Sequence, residues 1–261
     1  MIIKISMSPF AFGNISWWVL LWSLGGAVII SWAWLQAKKG VLPSYRIVFS
    51  AALVMMLLGL LFARLFYVID QWAYYVQFPS RIMGINGLYI NGAIIGAVCG
   101  LWLYSRSGKL NFGKCADVII PGVIAGQIIG RVGCLINGCC HGIETNLPWG
   151  IVYTNNASAA TTGIAYHPWQ IYEMLVLIMI MVIVVRLKTK TRTTGLLFAI
   201  YLAIYSIWRF AGGFLRPDKI SFLGLQQAQI VALVLLIFTL PFLWRSTVRQ
   251  NILYKRRLQR G

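Results

Sequence analysis

The sequence predicts an all-α, polytopic membrane helix bundle of seven transmembrane helices, N-terminus out and C-terminus in. Three observations carry this expectation. Hydrophobic residues make up 59% of the 261 positions and charged residues 11%, with a mean hydropathy of +0.77, which is more apolar surface than a soluble domain of this length hides in one core. The apolar residues gather into runs of about 20, the length that crosses a bilayer. Lysine and arginine fall in short tracts between those runs, so the net charge of +18 describes loops and not a nucleic-acid-binding domain.

Seven runs follow in order: Ser16 to Gln36, Ile47 to Ile69, Leu88 to Tyr104, Val118 to Gly133, Pro168 to Val185, Gly195 to Phe210, and Gln226 to Trp244. The first, too long and too weakly led by charge for a cleaved signal peptide, reads as a retained helix. The third, fourth and sixth are short, glycine-bearing or interrupted by polar residues, as helices lining a pocket are. No repeat, soluble domain or low-complexity linker interrupts the chain, so residues 1–261 read as a single integral membrane domain. Sixteen basic residues sit in one set of connections and the tail: Lys38, Lys39, Arg46, Arg106, Lys109, Lys114, Arg186, Lys188, Lys190, Arg192, Arg245, Arg249, Lys255, Arg256, Arg257 and Arg260. Four, Lys4, Arg81, Arg216 and Lys219, sit in the other set, and the stretch from Cys134 to His167 has none. Positive loops stay cytoplasmic, which sets the orientation.

Arg64, Arg131 and Arg209 belong to no loop. A guanidinium in a span costs roughly 2.5–3.5 kcal/mol on insertion scales and faces the bundle interior or a wet cavity with a partner. For Arg64, near the end of its run beside Asp70, snorkelling to the interface is the simpler alternative. The chain has only five acids, Asp70, Asp117, Glu144, Glu173 and Asp218, so a lipid phosphate is the ready partner for the other two, its oxygens matching the planar guanidinium fork. Glu173 enters the membrane with Gln170 and Tyr172, and an ion pair with Arg131 or Arg209 is its simplest structural role.

Beside Arg131 runs QIIGRVGCLINGCCHGIET, Gln127 to Thr145. The segment GRVGCLINGCCHG within it resembles the G-R-x-G-N-x-x-N-x-E-x-x-G signature of the prolipoprotein diacylglyceryl transferase family. Four further segments are similar to family elements in the same order: INGLYINGAIIG, HPWQIYE, WRFAGGFLRPDK and GLQQAQIVALVLL. The resemblance implies a bacterial inner-membrane, multi-pass enzyme that moves the diacylglyceryl group of phosphatidylglycerol onto the lipobox cysteine of a secreted precursor, releasing glycerol phosphate. It implies an anionic phospholipid and a signal-peptide lipobox as partners, no nucleic acid and no cofactor. Arg131 and Arg209 match the family's phosphate-contacting arginines. Asn91, Asn137, Gly130, Gly133, Gly142, Gln170, Tyr172 and Glu173 complete the expected lipid-binding set, with helix packing the alternative for the glycines.

The chain departs from the pattern where protons move. Asn91 stands at the family's cavity histidine and cannot act as a base at neutral pH. Cys134 replaces the signature asparagine, Cys139 its glutamate, and Gly213 a further glutamate. The candidate catalytic groups are therefore Cys134, Cys139, His141 and His167. One thiol is expected as a nucleophile, with Cys139 and His141 as a thiolate–imidazolium pair and the Cys140 side chain pointing elsewhere. Small semi-apolar fillers are the bland alternative, and a disulfide, in which Cys134 would partner either neighbour, or a metal site is the remaining one. His167 either caps the helix that begins at Pro168 or handles a proton. Cys99 and Cys115 read as inert. Three functions stay open: the family reaction or a variant with another acceptor and a Cys/His mechanism, a non-catalytic lipid-binding or lipid-translocating protein, and a thiol-redox membrane protein.

Overall fold

A computed structural model of the protein describes residues 3–258, apart from Asn14, Ile85, Asn86, Leu88, Lys109, Lys190, Arg192, Lys219 and Leu223; side chains at Ile90, Asn91, Ser221 and Phe222 and from residue 247 onward are also outside the description. Lys109, Lys190, Arg192, Lys219 and Arg260 of the charge count thus lie outside the described residues. In chain order come β1 (Ile3–Ile5), β2 (Phe10–Phe12), β3 (Ile15–Ser16), α1 (Trp17–Lys38), α2 (Tyr45–Asp70), α3 (Trp72–Gln77), a 3-10 turn at Pro79–Arg81, α4 (Ile90–Arg106) and α5 (Phe112–Asn137). Then follow β4 (Ile151–Tyr153), β5 (Ala165–Tyr166), α6 (Trp169–Lys188), α7 (Leu196–Gly213), β6 (Ile220–Phe222), β7 (Leu225–Gln226) and α8 (Gln227–Leu258). Each of the seven apolar runs forms a helix. Six of these helices are long and apolar enough to cross a membrane, and α4, at 17 residues, is shorter.

The all-α expectation needs a correction, because the mostly helical chain also carries short strands. β1 runs parallel to β4, which pairs antiparallel with β5, and β2–β3 and β6–β7 are two small antiparallel pairs. Strands of two or three residues are too short to show a period-two pattern, so the sequence carries no readable sign of them. Their backbone groups pair outside the helices, where an unpaired ladder would otherwise be left.

The chain divides into two compact units, residues 33–118 and residues 1–32 with 119–261. Within the first, α4 lies along α2 on a stripe of glycines. A Cβ at Gly92 would stand 2.3 Å from the Phe62 carbonyl oxygen, one at Gly96 2.2 Å from that of Leu58, and one at Gly100 2.9 Å from the Met55 Cα. Small residues four apart let two membrane helices approach to backbone contact, where lipid offers no hydrophobic drive for association. That is why the third run is so rich in glycine. Gly96→Leu should lower the thermal midpoint in detergent by several degrees, the size expected of a forced overpacking of about 1–3 kcal/mol. Gly26→Leu, on α1 with nothing within 4 Å of its Cβ position, should leave the midpoint in place.

Arg64 also belongs to this unit. Its guanidinium donates to three carbonyls, Ile82 at 2.9 Å, Gly87 at 3.1 Å and Arg81 at 2.7 Å, and lies 5.2 Å from the Tyr75 ring centroid. Asp70 instead accepts from the Tyr89 hydroxyl at 2.8 Å. The arginine therefore fastens the segment after α3 rather than snorkelling.

In the second unit the same device joins α5 to α1: Gly126 faces Gly25, and Gly130 and Gly133 face Trp22 and Leu21. Ile120, Ile124, Leu177, Ile180, Val184, Leu197 and Tyr201, from α5, α6 and α7, form the buried core. A smaller core of Ile151, Tyr153, Ala160 and Tyr166 packs beneath the three-stranded sheet.

Candidate functional site

The C-terminal end of α5, the N-terminal end of α6 and the C-terminal half of α7 converge on one carboxylate. Glu173 is 1% exposed, and its Oε1 accepts from Arg131 Nη2 at 2.8 Å and from the Tyr205 hydroxyl at 2.6 Å, while Oε2 accepts from Trp169 Nε1 at 3.1 Å. Three donors on one buried carboxylate offset the desolvation that a bare charge there would carry. Trp169 stacks on Trp208 with centroids 4.6 Å apart. Of the two partners expected for Glu173, the structure supplies Arg131.

Arg209, on the same half of α7, behaves differently. Its Nη1 is buried and has no hydrogen-bond partner among the described residues. Arg209 lies one turn along α7 from Tyr205, the residue that donates to Glu173. Arg216, which the charge count assigned to a loop, forms a two-pronged pair with Asp218 at 2.8 and 3.0 Å and reaches over Trp169. A Cβ at Gly213 would stand 2.5 Å from Gln229 Cγ. Gln229 occupies the room beside that position and donates to the Phe210 carbonyl at 3.1 Å, while Gln226 donates to the carbonyls of Gly213 and Arg216.

The cysteines come next along α5. Cys134, Cys139 and Cys140 have their Sγ atoms all within 4.8 Å of one another, and Arg131 Nη1 lies 4.0 Å from Cys134 Sγ. The expectation that Cys140 points away is corrected. Gly138 has φ 73° and Cys140 φ 60°, the one positive φ of a non-glycine among the described residues, and this double left-handed turn brings the thiols of neighbouring residues to one point. The expected thiolate–imidazolium pair is corrected as well. Cys139 Sγ points to the Cys134 carbonyl, while the His141 ring packs 4.0 Å from that of Tyr166 with Nδ1 2.8 Å from the Gly142 carbonyl. Among the described residues no hydrogen bond joins His141 to a thiol. Interaction with the neighbouring thiols, Cys134 first, holds the Cys139 thiol well above its ordinary range. The same interactions, reinforced by Arg131 and Arg216, draw Cys140 well below it. All five cysteines are free thiols.

His167 does not cap α6. Pro168 is the N-cap residue without a side-chain bond, and His167 Nδ1 lies 3.3 Å from the Tyr172 hydroxyl, which accepts from Trp149 Nε1 at 2.8 Å. Gln170 is fully buried and donates to the Cys139 carbonyl at 2.6 Å, fixing the cysteine loop to α6. Burial pushes the nearby Tyr153 phenol up; it donates to the Leu135 carbonyl at 3.0 Å. Asn137 ends α5 and accepts from Ala159 through its main-chain carbonyl. Gly130 and Gly133 pack against α1, and a Cβ at Gly142 would meet the His167 Cβ at 2.6 Å, so these glycines are held by protein contacts. Asn91 lies on α4 in the other unit, its side chain outside the described residues. Tyr205, Trp169, Arg216, Gln226 and Gln229 are additions to the predicted set. Trp169, Arg216, Gln226 and Gln229 lie within the quoted segments HPWQIYE, WRFAGGFLRPDK and GLQQAQIVALVLL, and Tyr205 lies in none of them.

A helical, multi-pass membrane protein with a buried arginine–glutamate pair, and beside it a second guanidinium whose Nη1 has no partner among the described residues, is the class these features define. The family model described as "Prolipoprotein diacylglyceryl transferase" matches residues 6–245, and the chain belongs to that family. It is 40% identical over 243 residues, 92% of this chain and 94% of the relative, to the phosphatidylglycerol–prolipoprotein diacylglyceryl transferase of Dehalococcoides mccartyi. Against the Bacillus cereus protein of that name it is 32% identical over 254 residues, 92% of this chain and 90% of the relative. Against the protein numbered 2 under that name in Clostridium perfringens it is 34% identical over 217 residues, covering 81% and 84%.

Proposed function

We propose that this chain is a phosphatidylglycerol–prolipoprotein diacylglyceryl transferase, acting on the lipobox cysteine of secreted precursors at a bacterial inner membrane. In the reaction a sulfur–carbon bond forms at the glycerol carbon and the carbon–oxygen bond to phosphate breaks. Glycerol phosphate then leaves with the electron pair. Charge grows on the phosphate oxygens, and preorganised cations aimed at that position stabilise the transition state. The observation that carries the reading is Arg209 Nη1, a buried donor with no partner among the described residues beside the Arg131–Glu173 pair; a phosphate oxygen would satisfy it. Arg131 supplies the second cation, oriented by Glu173. Family membership and the names of relatives as similar as 40% over 92% of the chain support this reading above a lipid-binding or thiol-redox protein.

The test is complementation. In a strain depleted of its own diacylglyceryl transferase, expression of this chain should restore growth and diacylglyceryl-modified lipoproteins, read by mass spectrometry. Inserted protein with precursors still unmodified would contradict the assignment.

The chain forms one integral membrane domain with seven spans, α4 being the shortest, N-terminus out and C-terminus in, so that the segment from Cys134 to His167 faces the compartment of secreted precursors. The charge bias of the loops supports this orientation. Single cysteines placed in residues 143–166 and after Trp244, in a background lacking the native ones, should label from outside and only after permeabilisation, respectively. The reverse pattern would remove the site from its substrate.

A further inference from the structure

We propose that Cys134, Cys139 and Cys140 form a three-thiolate site for one zinc ion, whose fourth position takes the acceptor thiol and holds it as the thiolate that attacks phosphatidylglycerol. The inference rests on the reaction proposed above and adds to it the group that removes the thiol proton. Among the described residues no histidine or carboxylate stands within the thiol cluster to take it. The chain has two histidines, and each turns Nδ1 to a partner outside the thiol cluster: His141 to the Gly142 carbonyl, with its ring against Tyr166, and His167 to the Tyr172 hydroxyl. The position where the family resemblance implies a histidine is Asn91, which has no basic nitrogen.

The three sulfur atoms meet what zinc requires. With zinc–sulfur bonds of about 2.3 Å, a tetrahedral site holds its sulfurs about 3.8 Å apart, and the observed spread, within 4.8 Å, needs only a small contraction. An all-sulfur donor set selects a soft or borderline cation over magnesium or calcium. No histidine or carboxylate joins the cluster among the described residues, so the protein supplies three ligands, the arrangement of a catalytic zinc that keeps one position for an incoming group. Cys134 closes the cluster on the protein side at 1% exposure, and Cys139 and Cys140 are half-buried, leaving a side for approach. The left-handed backbone at Gly138 and Cys140 turns the thiols together, and Gln170 anchors the loop through the Cys139 carbonyl.

The chemistry balances without a redox partner. A thiol that binds zinc gives up its proton to water. Three protein thiolates and the acceptor thiolate leave the zinc centre with two net negative charges, which keeps the acceptor sulfur nucleophilic, and Arg131, 4.0 Å from Cys134 Sγ, compensates that charge. The acceptor sulfur attacks the glycerol carbon, the phosphate leaves toward the arginines, and the neutral thioether, a poor ligand, departs while zinc stays bound.

The experiment uses the purified full-length protein in phosphatidylglycerol-containing nanodiscs under reducing conditions. Zinc content should be one ion per chain in the wild type and near zero in Cys139→Ser/Cys140→Ser, which should still unfold cooperatively but at a lower midpoint, and chelation should lower the wild-type midpoint while leaving that of the variant in place. In the cobalt-loaded protein, a lipobox peptide bearing cysteine should raise the thiolate-to-metal charge-transfer band by about one third, as three sulfur ligands become four, and the serine peptide should not. Removing the metal with a chelator should lower transfer on the order of 100-fold, restored by zinc. Metal content unaffected by the substitutions, or a cobalt spectrum blind to the cysteine peptide, overturns the inference. Undiminished transfer by metal-free protein overturns it too and leaves the reaction standing. Protein that binds zinc and the peptide thiol but transfers nothing from phosphatidylglycerol overturns the reaction itself, and the activating role with it.

Discussion

Arg131→Gln should abolish measurable transfer and also destabilise the protein, by roughly 3–5 kcal/mol, the cost of leaving one member of a buried pair without the other. The sequence alone offers Arg131 two partners, a lipid phosphate and Glu173. The structure puts Glu173 at 2.8 Å, 1% exposed, so the glutamine variant leaves a buried carboxylate held only by Tyr205 and Trp169. The double variant Arg131→Gln/Glu173→Gln removes both charges and should regain most of the lost midpoint. It should not regain transfer, because the cation is still missing. Thermal unfolding and lipid-transfer assays on the three proteins separate the structural role of Arg131 from its role toward phosphate. Recovery of activity in the double variant would make Arg131 a purely structural residue.

Arg209→Gln should give the opposite pairing of effects. Its Nη1 has no partner among the described residues, so the substitution orphans none of them there, and the midpoint should stay within a few degrees of wild type. Transfer should fall by about 10²–10³, the loss typical when one preorganised group that meets developing charge is removed. Arg209→Lys keeps the charge but not the planar fork, and should recover part of the rate at most. A rate in Arg209→Gln close to wild type would leave this buried donor without a function.

What the sequence made legible follows from how each interaction is encoded. The helices were readable because an apolar run of bilayer length is a one-dimensional signal, while the glycines of α4, read as those of a helix lining a pocket, pack against α2, a partner that only the structure supplies. Glu173 and Arg131 were readable as a pair because charges in a membrane are few enough to count. Tyr205 and Trp169 were not, since a tyrosine or tryptophan in an apolar run looks like any other core residue. The Arg64 contacts go to three carbonyls, and carbonyls are carried by every residue, so no letter marks them. The hairpins β2–β3 and β6–β7 are too short to carry a period, while β1–β4 and the anchoring of the cysteine loop by Gln170 depend on contacts between segments far apart in the chain. Hence the sequence assigned Cys139 and His141 to each other, while the fold gives Cys139 to its neighbouring thiols and His141 to Tyr166.

The most direct test of the central claim is the mass of a lipobox peptide after incubation with the purified protein in phosphatidylglycerol vesicles. The peptide should gain one diacylglyceryl group on its cysteine, with glycerol phosphate released in equal amount; it should gain the group about 10²–10³-fold more slowly with the Arg209→Gln protein and not at all when serine replaces the peptide cysteine. An unmodified peptide, from protein shown to be folded and inserted, would contradict the assignment of this chain as a diacylglyceryl transferase.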